Sequence, residues 1–169
     1  MKAIDIRRSV RQFSTTKVEE VKIIKLLKAA MQAPSAVNQQ PWQFIVVEDR
    51  QRIEELALCS KYSKFAREAP LLIVVLTKVK DLISENYIQQ DLGACCQNLM
   101  LEAVELDLGS TWMGIYPDKE RMDFIIESLN IDRNEALPFA LIAVGYPKHK
   151  DLNKFIDRFD EKRIHREKY

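Results

Sequence analysis

Apolar positions along the chain form two patterns, continuous runs that are typical of buried strands and spaced sets that are typical of helices. Continuous runs predict strands at residues 44–47, 71–76 and 139–144. The run at 71–76 is rich in β-branched residues, which favours a strand buried on both faces. Residues 109–117 contain a shorter strand candidate that leads into a glycine turn. The sequence therefore predicts one sheet with helices between its strands.

Helical spacing of apolar residues predicts five helices. They cover residues 3–13, a segment that ends near residue 32, residues 49–58, residues 86–108 and a segment around 122–129. Thr16 and Glu19 have the spacing of a capping box at the start of the second helix, and Asp49 is a candidate N-cap for the third. Gly109 is positioned to end the longest helix. The small and apolar residues in the middle of that helix predict burial at the domain centre or in a subunit interface.

Composition narrows the class of protein. A chain of 169 residues that is 47% hydrophobic is expected to form one domain. The 26 basic and 25 acidic residues give a net charge of +1, so no global field attracts nucleic acid or an anionic membrane. No apolar run reaches the roughly 18 residues that span a bilayer, and no apolar signal core follows Met1. We therefore expect a cytoplasmic protein.

Cysteine and histidine positions do not suggest a metal site. Cys59, Cys95 and Cys96 lack metal-ligand spacing, and we expect them to be buried thiols. His149 and His165 have no partner at ligand spacing, so we expect no zinc site.

Three arginines near the N-terminus form the first candidate binding group. Arg7 and Arg11 are four residues apart and would share a helix face, where like charges repel unless an anion lies between them. With Arg8 and the hydroxyl of Ser9, they could bind a phosphate. The alternative is a solvated basic face without a ligand.

The stretch from Ala33 to Trp42 is the second candidate, because two prolines, one serine, one asparagine and two glutamines lie between a helix and a strand. Prolines restrict the backbone at both ends of this loop. We expect the loop to hold a flat polar ligand, with Pro41 and Trp42 anchoring it to the first strand.

Common catalytic motifs are absent from the sequence. It contains no nucleophile elbow, no P-loop, no HExxH pair and no GxGxxG. The chemistry is therefore expected to come from a bound cofactor. An arginine cluster, an amide-rich loop and a glycine turn together are suited to flavin mononucleotide (FMN).

Several segments in the same order along the chain resemble the flavin-dependent nitroreductase family. The matching residues are Arg7-Arg8-Ser9-Val10-Arg11 with Phe13, Ala33-Pro34-Ser35-Ala36 with Asn38, Gln40, Pro41 and Trp42, Ala69-Pro70, the helix from Gly93 to Leu108, Gly109-Ser110 with Trp112 and Gly114, and Ala143-Val144-Gly145-Tyr146-Pro147. The resemblance covers nearly the whole chain. It implies an α+β fold with a central, mostly antiparallel sheet covered by helices, and a homodimer with a long central interface helix.

The resemblance also implies a site at the subunit interface. Residues 1–169 would form one FMN-binding domain whose tail, 148–169, packs on the partner subunit. Contacts to the phosphate and ribityl chain or the adjoining ring edge would come from Arg7, Arg8, Ser9 and Arg11, with Arg158 as a second phosphate cation. Beside the isoalloxazine would lie the partner's Pro34, the partner's Ser35, the partner's Ala36 and the partner's Asn38. Near the reactive nitrogen would lie backbone groups of Met113, Gly114 and Ile115. Lys154, Lys162 and Arg163 compete with Arg158. No cofactor contact is assigned to residues 62–65, and the wall of the substrate pocket is left open.

The implied activity is ping-pong hydride transfer from NAD(P)H through FMN to a nitroaromatic, quinone or similar acceptor, with no side chain needed as acid or base. Trp42, Trp112, Tyr116 and Phe124 are candidates either for stacking on the acceptor or for packing in the core. Two other functions are considered: another flavin reaction, such as dehalogenation or flavin fragmentation, and a non-catalytic basic binding module.

Overall fold

One antiparallel sheet of four strands organises the protein. The structure, a computed structural model, describes residues 2–149 and 152–169. Its strands are β1 (Trp42–Val47), β2 (Leu71–Lys78), β3 (Gly109–Gly114) and β4 (Ala136–Gly145). They lie in the order β1-β2-β4-β3, so β3 is an edge strand and β2 and β4 are central. The predicted α+β class with a mostly antiparallel sheet is confirmed.

Helices cover both faces of this sheet. They are α1 (Lys2–Ile6), α2 (Glu20–Met31), α3 (Arg50–Leu56), α4 (Ile88–Glu105) and α5 (Lys119–Leu129). On one face, α2 and α4 pack against a row of strand residues that includes Ile73 and Ile142. On the other face, α3 and α5 pack against the alternate row, which includes Val74 and Leu141. The unpaired backbone N–H and C=O groups of the sheet lie along its two edge strands, β1 and β3.

The predicted first helix over residues 3–13 is wrong beyond Ile6. After α1 the chain is extended and runs beside the sheet, where Ser9 bridges to Ser110 in parallel and Phe13 bridges to Pro147. Arg7 and Arg11 therefore do not share a helix face. Pairing with residues about a hundred positions away determines this path.

Two predicted helix ends are also wrong. The N-cap of α2 is Glu19 and not Thr16, so the predicted capping box does not form. Glu19 makes no side-chain capping bond, and its carboxylate accepts a hydrogen bond from the Tyr146 hydroxyl at 2.8 Å. The longest helix ends at Glu105 rather than at Gly109, and Asp107, just beyond its end, has a left-handed φ of 62°. The predicted cap at Asp49 is confirmed, since its carboxylate accepts a hydrogen bond from the Arg52 amide at 2.8 Å.

Gly109 has a different role as the first residue of β3. A Cβ at this position would lie 2.7 Å from the side chain of Val10, which is closer than van der Waals contact allows. The missing side chain lets the extended N-terminal segment lie against the edge strand, where the Val10 amide donates to the Ser110 carbonyl at 3.0 Å. The N-terminal arginines are thereby held beside β3.

In the tail from residue 152 onward, Glu161–Arg163 form a short 3-10 turn. Phe155 is 64% exposed and Phe159 is 75% exposed, so the tail's large apolar groups are not buried within this chain.

None of the described helices is long and apolar enough to cross a membrane. Within residues 2–149 and 152–169, no three His, Cys, Asp or Glu side chains are grouped so that they could hold a metal ion.

Candidate functional site

Three arginines predicted to bind phosphate lie close to one another. Burial lowers the pKa of the Arg7 guanidinium, and the positive charges of Arg8 and Arg158 lower it further. In the part of the chain that the structure describes, no carboxylate lies within 4 Å of any of these three guanidinium groups. Like charges so close together, without a counterion, form a local site for an anion.

Arg158 is better placed than the other tail cations. Its charge acts on Arg7, whereas the Arg163 guanidinium lies 3.1 Å from the Asp160 carboxylate. Lys154, Lys162 and Arg158 are all exposed, so exposure does not distinguish them. The role of Arg158 toward a phosphate stays a prediction, but its position beside Arg7 favours it over its competitors.

Backbone and side-chain contacts hold Arg8 in place. Its amide donates to Asn153 Oδ1 at 3.3 Å, and its guanidinium donates to the carbonyls of Arg7 and Asp5. Arg8 Nε and Ser110 Oγ are buried without a hydrogen-bond partner among the described residues. Unpaired buried polar atoms are costly, so these two atoms suit a ligand with hydroxyl groups, such as a ribityl chain.

An open cavity of about 440 Å³ lies along β3 toward its C-terminal end, at Gly114. Its lining residues are Arg11, Ser60, Tyr62, Phe65, Thr111, Trp112, Met113, Gly114 and Arg121. The guanidinium of Arg11 lies over the ring of Phe65, 5.7 Å from its centroid. Arg11 and the glycine turn thus line one cavity. Arg7 and Arg8, together with Arg158, form the separate group of cations described above, the cation cluster.

The direction of the peptide groups in β3 distinguishes the three residues predicted to make backbone contacts. The Ser110 carbonyl accepts from Val10, so in β3 the even-numbered residues direct their N–H and C=O groups away from β4. Gly114 shares this direction, and its amide faces the open edge. By the same alternation the peptide groups of Met113 face β4, and the Ile115 amide donates to the Phe139 carbonyl at 3.2 Å.

Gly114 is therefore the best placed of the three for a backbone contact, while Met113 reaches the cavity with its side chain. Ile115 is fully buried beneath the sheet. A Cβ at Gly114 would meet no atom within 4 Å, so the space above the glycine is open.

The polar loop has a strained backbone. Residues Ala36–Asn38 form one 3-10 turn, and Val37 and Asn38 have φ values of 48° and 55°. Gln40 also has a positive φ, of 43°, and its amide donates to Ser35 Oγ at 3.0 Å. A left-handed conformation is unfavourable for a β-branched residue such as Val37, and strain of this kind is frequent at ligand-binding sites.

A buried carboxylate holds this loop in place. Asp91 on α4 accepts from the Ala36 amide at 2.9 Å and from Gln39 Nε2 at 2.7 Å. Gln39 also bonds to the backbone of Ser84 through both its Nε2 and its Oε1. No local pattern in the sequence marks Asp91 or Gln39 as supports of the loop, because each lies about 50 residues from its partners.

Within one chain, the loop and the β3 edge line separate cavities. Pro34, Ser35 and Ala36 border a shallow cavity of about 340 Å³ on the N-terminal part of α4, and Asn38 is exposed. This cavity shares no lining residue with the one at Gly114. The two groups of predicted flavin contacts are therefore not joined within a single subunit.

Four aromatic residues were candidates for stacking. Trp42 is buried in the core, and Phe124 is partly buried against the α3 and α5 side. Trp112 packs with Phe139 at 5.8 Å between ring centroids and also lines the cavity, while Tyr116 stacks on Phe139 at 6.3 Å. Tyr62 and Phe65 also line the cavity, although no contact had been assigned to them.

Comparison with known proteins gives consistent matches over the whole chain. A model of the nitroreductase family matches residues 4–61 and 56–146. A protein of Archaeoglobus fulgidus with the provisional name NADH dehydrogenase/NAD(P)H nitroreductase is 40% identical over 100% of this chain and 98% of its own length.

Solved structures are also similar. The crystal structure of a provisionally named NADH oxidase from Clostridium acetobutylicum has a TM-score of 0.95 and 50% identity, covering 99% of both chains. A provisionally named nitroreductase from Desulfovibrio desulfuricans, solved in complex with FMN, has a TM-score of 0.84 and 28% identity, covering 99% of this chain and 96% of its own.

Proposed function

The chain belongs to the nitroreductase family, and from this premise we propose that it binds FMN and transfers electrons from NAD(P)H to a small oxidised acceptor, such as a nitroaromatic or a quinone. The family makes the protein an oxidoreductase. The observation that carries the proposal is the cluster of Arg7, Arg8 and Arg158 without a carboxylate partner in the described chain, at the start of an edge strand that ends in an open glycine.

The β3 edge has the length and polarity that FMN needs. Ser110, beside Ser9, and Gly114 are four residues apart, which corresponds to about 13 Å along an extended strand. Arg7, Arg8 and Arg158 would hold the phosphate at one end, and the orphaned atoms of Arg8 and Ser110 would meet the ribityl hydroxyls. At the other end, the Gly114 amide would face the ring, with Met113 beneath it.

Catalysis in this proposal is electrostatic and orientational. Bound FMN supplies the chemistry of accepting a hydride from NAD(P)H and passing electrons on to the acceptor. Arg11 contributes a positive charge at the cavity that stabilises negative charge on the ring, and the open cavity admits donor and acceptor in turn. No side chain of the cavity is required as an acid or base.

The complete site would need two copies of this chain. Ser35, Ala36 and Asn38 do not reach the Gly114 cavity within one subunit, so we assign them to the partner's flavin. Phe155 and Phe159 expose large apolar surfaces that a partner subunit would cover. Gly93 on α4 has open space above it, which suits close approach of a second backbone.

Spectroscopy of the purified protein tests the proposal. The protein should be yellow, and NADH or NADPH should bleach its flavin absorption under anaerobic conditions. Arg11→Ala should weaken FMN retention well beyond Lys17→Ala, because Lys17 is paired with Glu48 away from the cavity. A colourless protein that takes up no added FMN would contradict the proposal.

A further inference from the structure

Arg121 holds the end of the strand that borders the proposed flavin site. Its Nη1 donates to the Gly114 carbonyl at 2.9 Å, and its Nε lies 3.0 Å from Asp118 Oδ2. The Asp118 carboxylate also accepts from the Arg121 amide at 3.2 Å as the N-cap of α5. The guanidinium thus has two fixed partners, and it lines the same cavity as Gly114.

We propose that Arg121 is a positioning residue that fixes the Gly114 peptide and thereby favours the reduced form of the bound flavin. The inference rests on the proposed function and deepens it. Nothing in the local sequence indicates this role, since Arg121 reaches the cavity only through the turn between β3 and α5.

Gly114 needs such support for a conformational reason. It is the last residue of an edge strand, β4 pairs only with the inward peptide groups, and no side chain limits rotation of its backbone. A hydrogen bond from a rigid guanidinium to its carbonyl removes this freedom. The amide of Gly114 then keeps its outward direction.

The same bond changes the electrostatics of the edge. In an extended strand the N–H and C=O of one residue point the same way, so the Gly114 carbonyl also faces outward. A free carbonyl beside a ring that gains electrons would raise the energy of the reduced state. Arg121 donates a hydrogen bond to this carbonyl from a guanidinium whose charge Asp118 partly balances. The carbonyl is then no longer free beside the ring, so the effect is larger on reduced than on oxidised FMN.

Arg121 and Arg11 act differently at this cavity. Arg11 has no carboxylate within 4 Å in the described chain, and its guanidinium contacts the Ser9 carbonyl, at 3.5 Å, and the ring of Phe65. Arg121, in contrast, is committed to Gly114 and Asp118. A matched control is Arg133, which pairs with Asp123 at 2.7 Å and lines none of the cavities described above.

The test measures the affinity of FMN in both oxidation states. For Arg121→Ala, we expect the dissociation constant of oxidised FMN to change less than about threefold and that of reduced FMN to rise about tenfold, which lowers the two-electron midpoint potential by about 30 mV. Arg121→Lys should give an intermediate potential, because lysine keeps the charge but not the planar fork. Arg133→Ala should match the wild type.

Each result decides between the two proposals. A midpoint potential of Arg121→Ala equal to that of the wild type and Arg133→Ala would overturn the role of Arg121 and leave the proposed function intact. A wild-type protein that binds no FMN would overturn the proposed function itself. If Arg121→Ala does not fold, Arg121→Lys decides, since it is expected to lower the potential and a wild-type value in it would overturn the inference.

Discussion

The carboxylate of Asp91 and the side-chain amide of Gln39 form a buried hydrogen bond of 2.7 Å that ties the strained polar loop to the longest helix. The second oxygen of Asp91 accepts from the Ala36 amide. A carboxylate is suited to this place because it only accepts hydrogen bonds, and both facing groups are donors. The loop conformation therefore depends on one side chain in α4.

Replacing Asp91 by asparagine should loosen the loop. The new amide nitrogen would face one of two donors, and we expect a loss of about 1–3 kcal/mol in the free energy of unfolding. FMN affinity should fall about tenfold in the dimer, because Ser35 and Asn38 lose their fixed position. Urea unfolding and fluorescence titration measure the two effects. Glu105→Gln, on an exposed position of the same helix, is the control, and equal FMN affinity of both variants would contradict the role of the loop.

The cation cluster predicts selectivity for the phosphate of the cofactor. Arg7→Ala should weaken FMN binding by about 10- to 100-fold, as expected for loss of a charge-assisted hydrogen bond of about 1.5–3 kcal/mol. Riboflavin has no phosphate, and its binding should change little. Titration of both flavins into the apoprotein tests this, with Lys25→Ala, an exposed cation of α2, as the control. Equal losses for FMN and riboflavin would remove Arg7 from the phosphate site.

Local sequence patterns predicted those parts of the fold that local interactions determine. The run at residues 71–76 predicts a central strand because both of its faces are buried, and Asp49 caps α3 through a residue three positions away. The extended path after Ile6 depends on pairing with Ser110, and Glu19 is engaged by Tyr146. Such distant contacts leave no periodic pattern near the residue concerned.

In the candidate site, too, some residues could be predicted from the sequence and others depend on contacts between distant parts of the chain. Arg7, Arg8 and Gly114 were found because they belong to segments that resemble a family. Arg121, in the first turn of α5, and Phe65, in the 3-10 helix Lys64–Glu68, line the cavity from two separate elements. Neither belongs to a motif on which the resemblance was based. Which peptide group of the glycine turn faces the cavity also depends on the register of β3 against β4.

Tyr62 is expected to select acceptors rather than bind the cofactor. It lies on a turn fixed by the buried Ser63, whose hydroxyl bonds to the carbonyls of Ala57 and Ser60, and its side chain is 71% exposed at the cavity. Tyr62→Ala should raise KM for a nitroaromatic or quinone about threefold to tenfold, as expected for loss of a stacking contact of about 0.5–1.5 kcal/mol. The rate of flavin bleaching by NADH should stay the same. Stopped-flow measurement of the two half-reactions tests this, and a change confined to the bleaching step would contradict it.

Dimerisation should depend on the apolar residues of the tail. Phe155→Ser should weaken the dimer, because burial of a phenylalanine side chain contributes about 1.5–3 kcal/mol. Leu58→Ser is a matched control, since Leu58 is exposed to nearly the same extent, 63% against 64%, but lies after α3. Light scattering over a range of protein concentrations gives the dissociation constants. A wild-type monomer that still holds FMN tightly would contradict the two-subunit site.

The buried thiols of α4 predict a loss of stability at high pH. All three cysteines are buried as expected, and burial raises the pKa of Cys95 from 9.0 to about 12 and also raises the pKa of Cys96. Above pH 9 the unfolded chain loses these protons while the folded chain keeps them, so stability is complete below pH 9 and falls as pH rises toward 12. Each thiol should contribute a slope of up to about 1.4 kcal/mol per pH unit.

Cys95→Ala isolates this contribution, because the variant removes one titrating group and retains the other groups of the chain. Its free energy of unfolding should start lower at pH 7, owing to the smaller side chain in the core, but should decline less steeply than that of the wild type between pH 9 and 10.5. Urea unfolding at several pH values measures both slopes. Parallel curves for the two proteins would mean that Cys95 keeps its ordinary pKa, which is incompatible with its burial between α4 and the sheet.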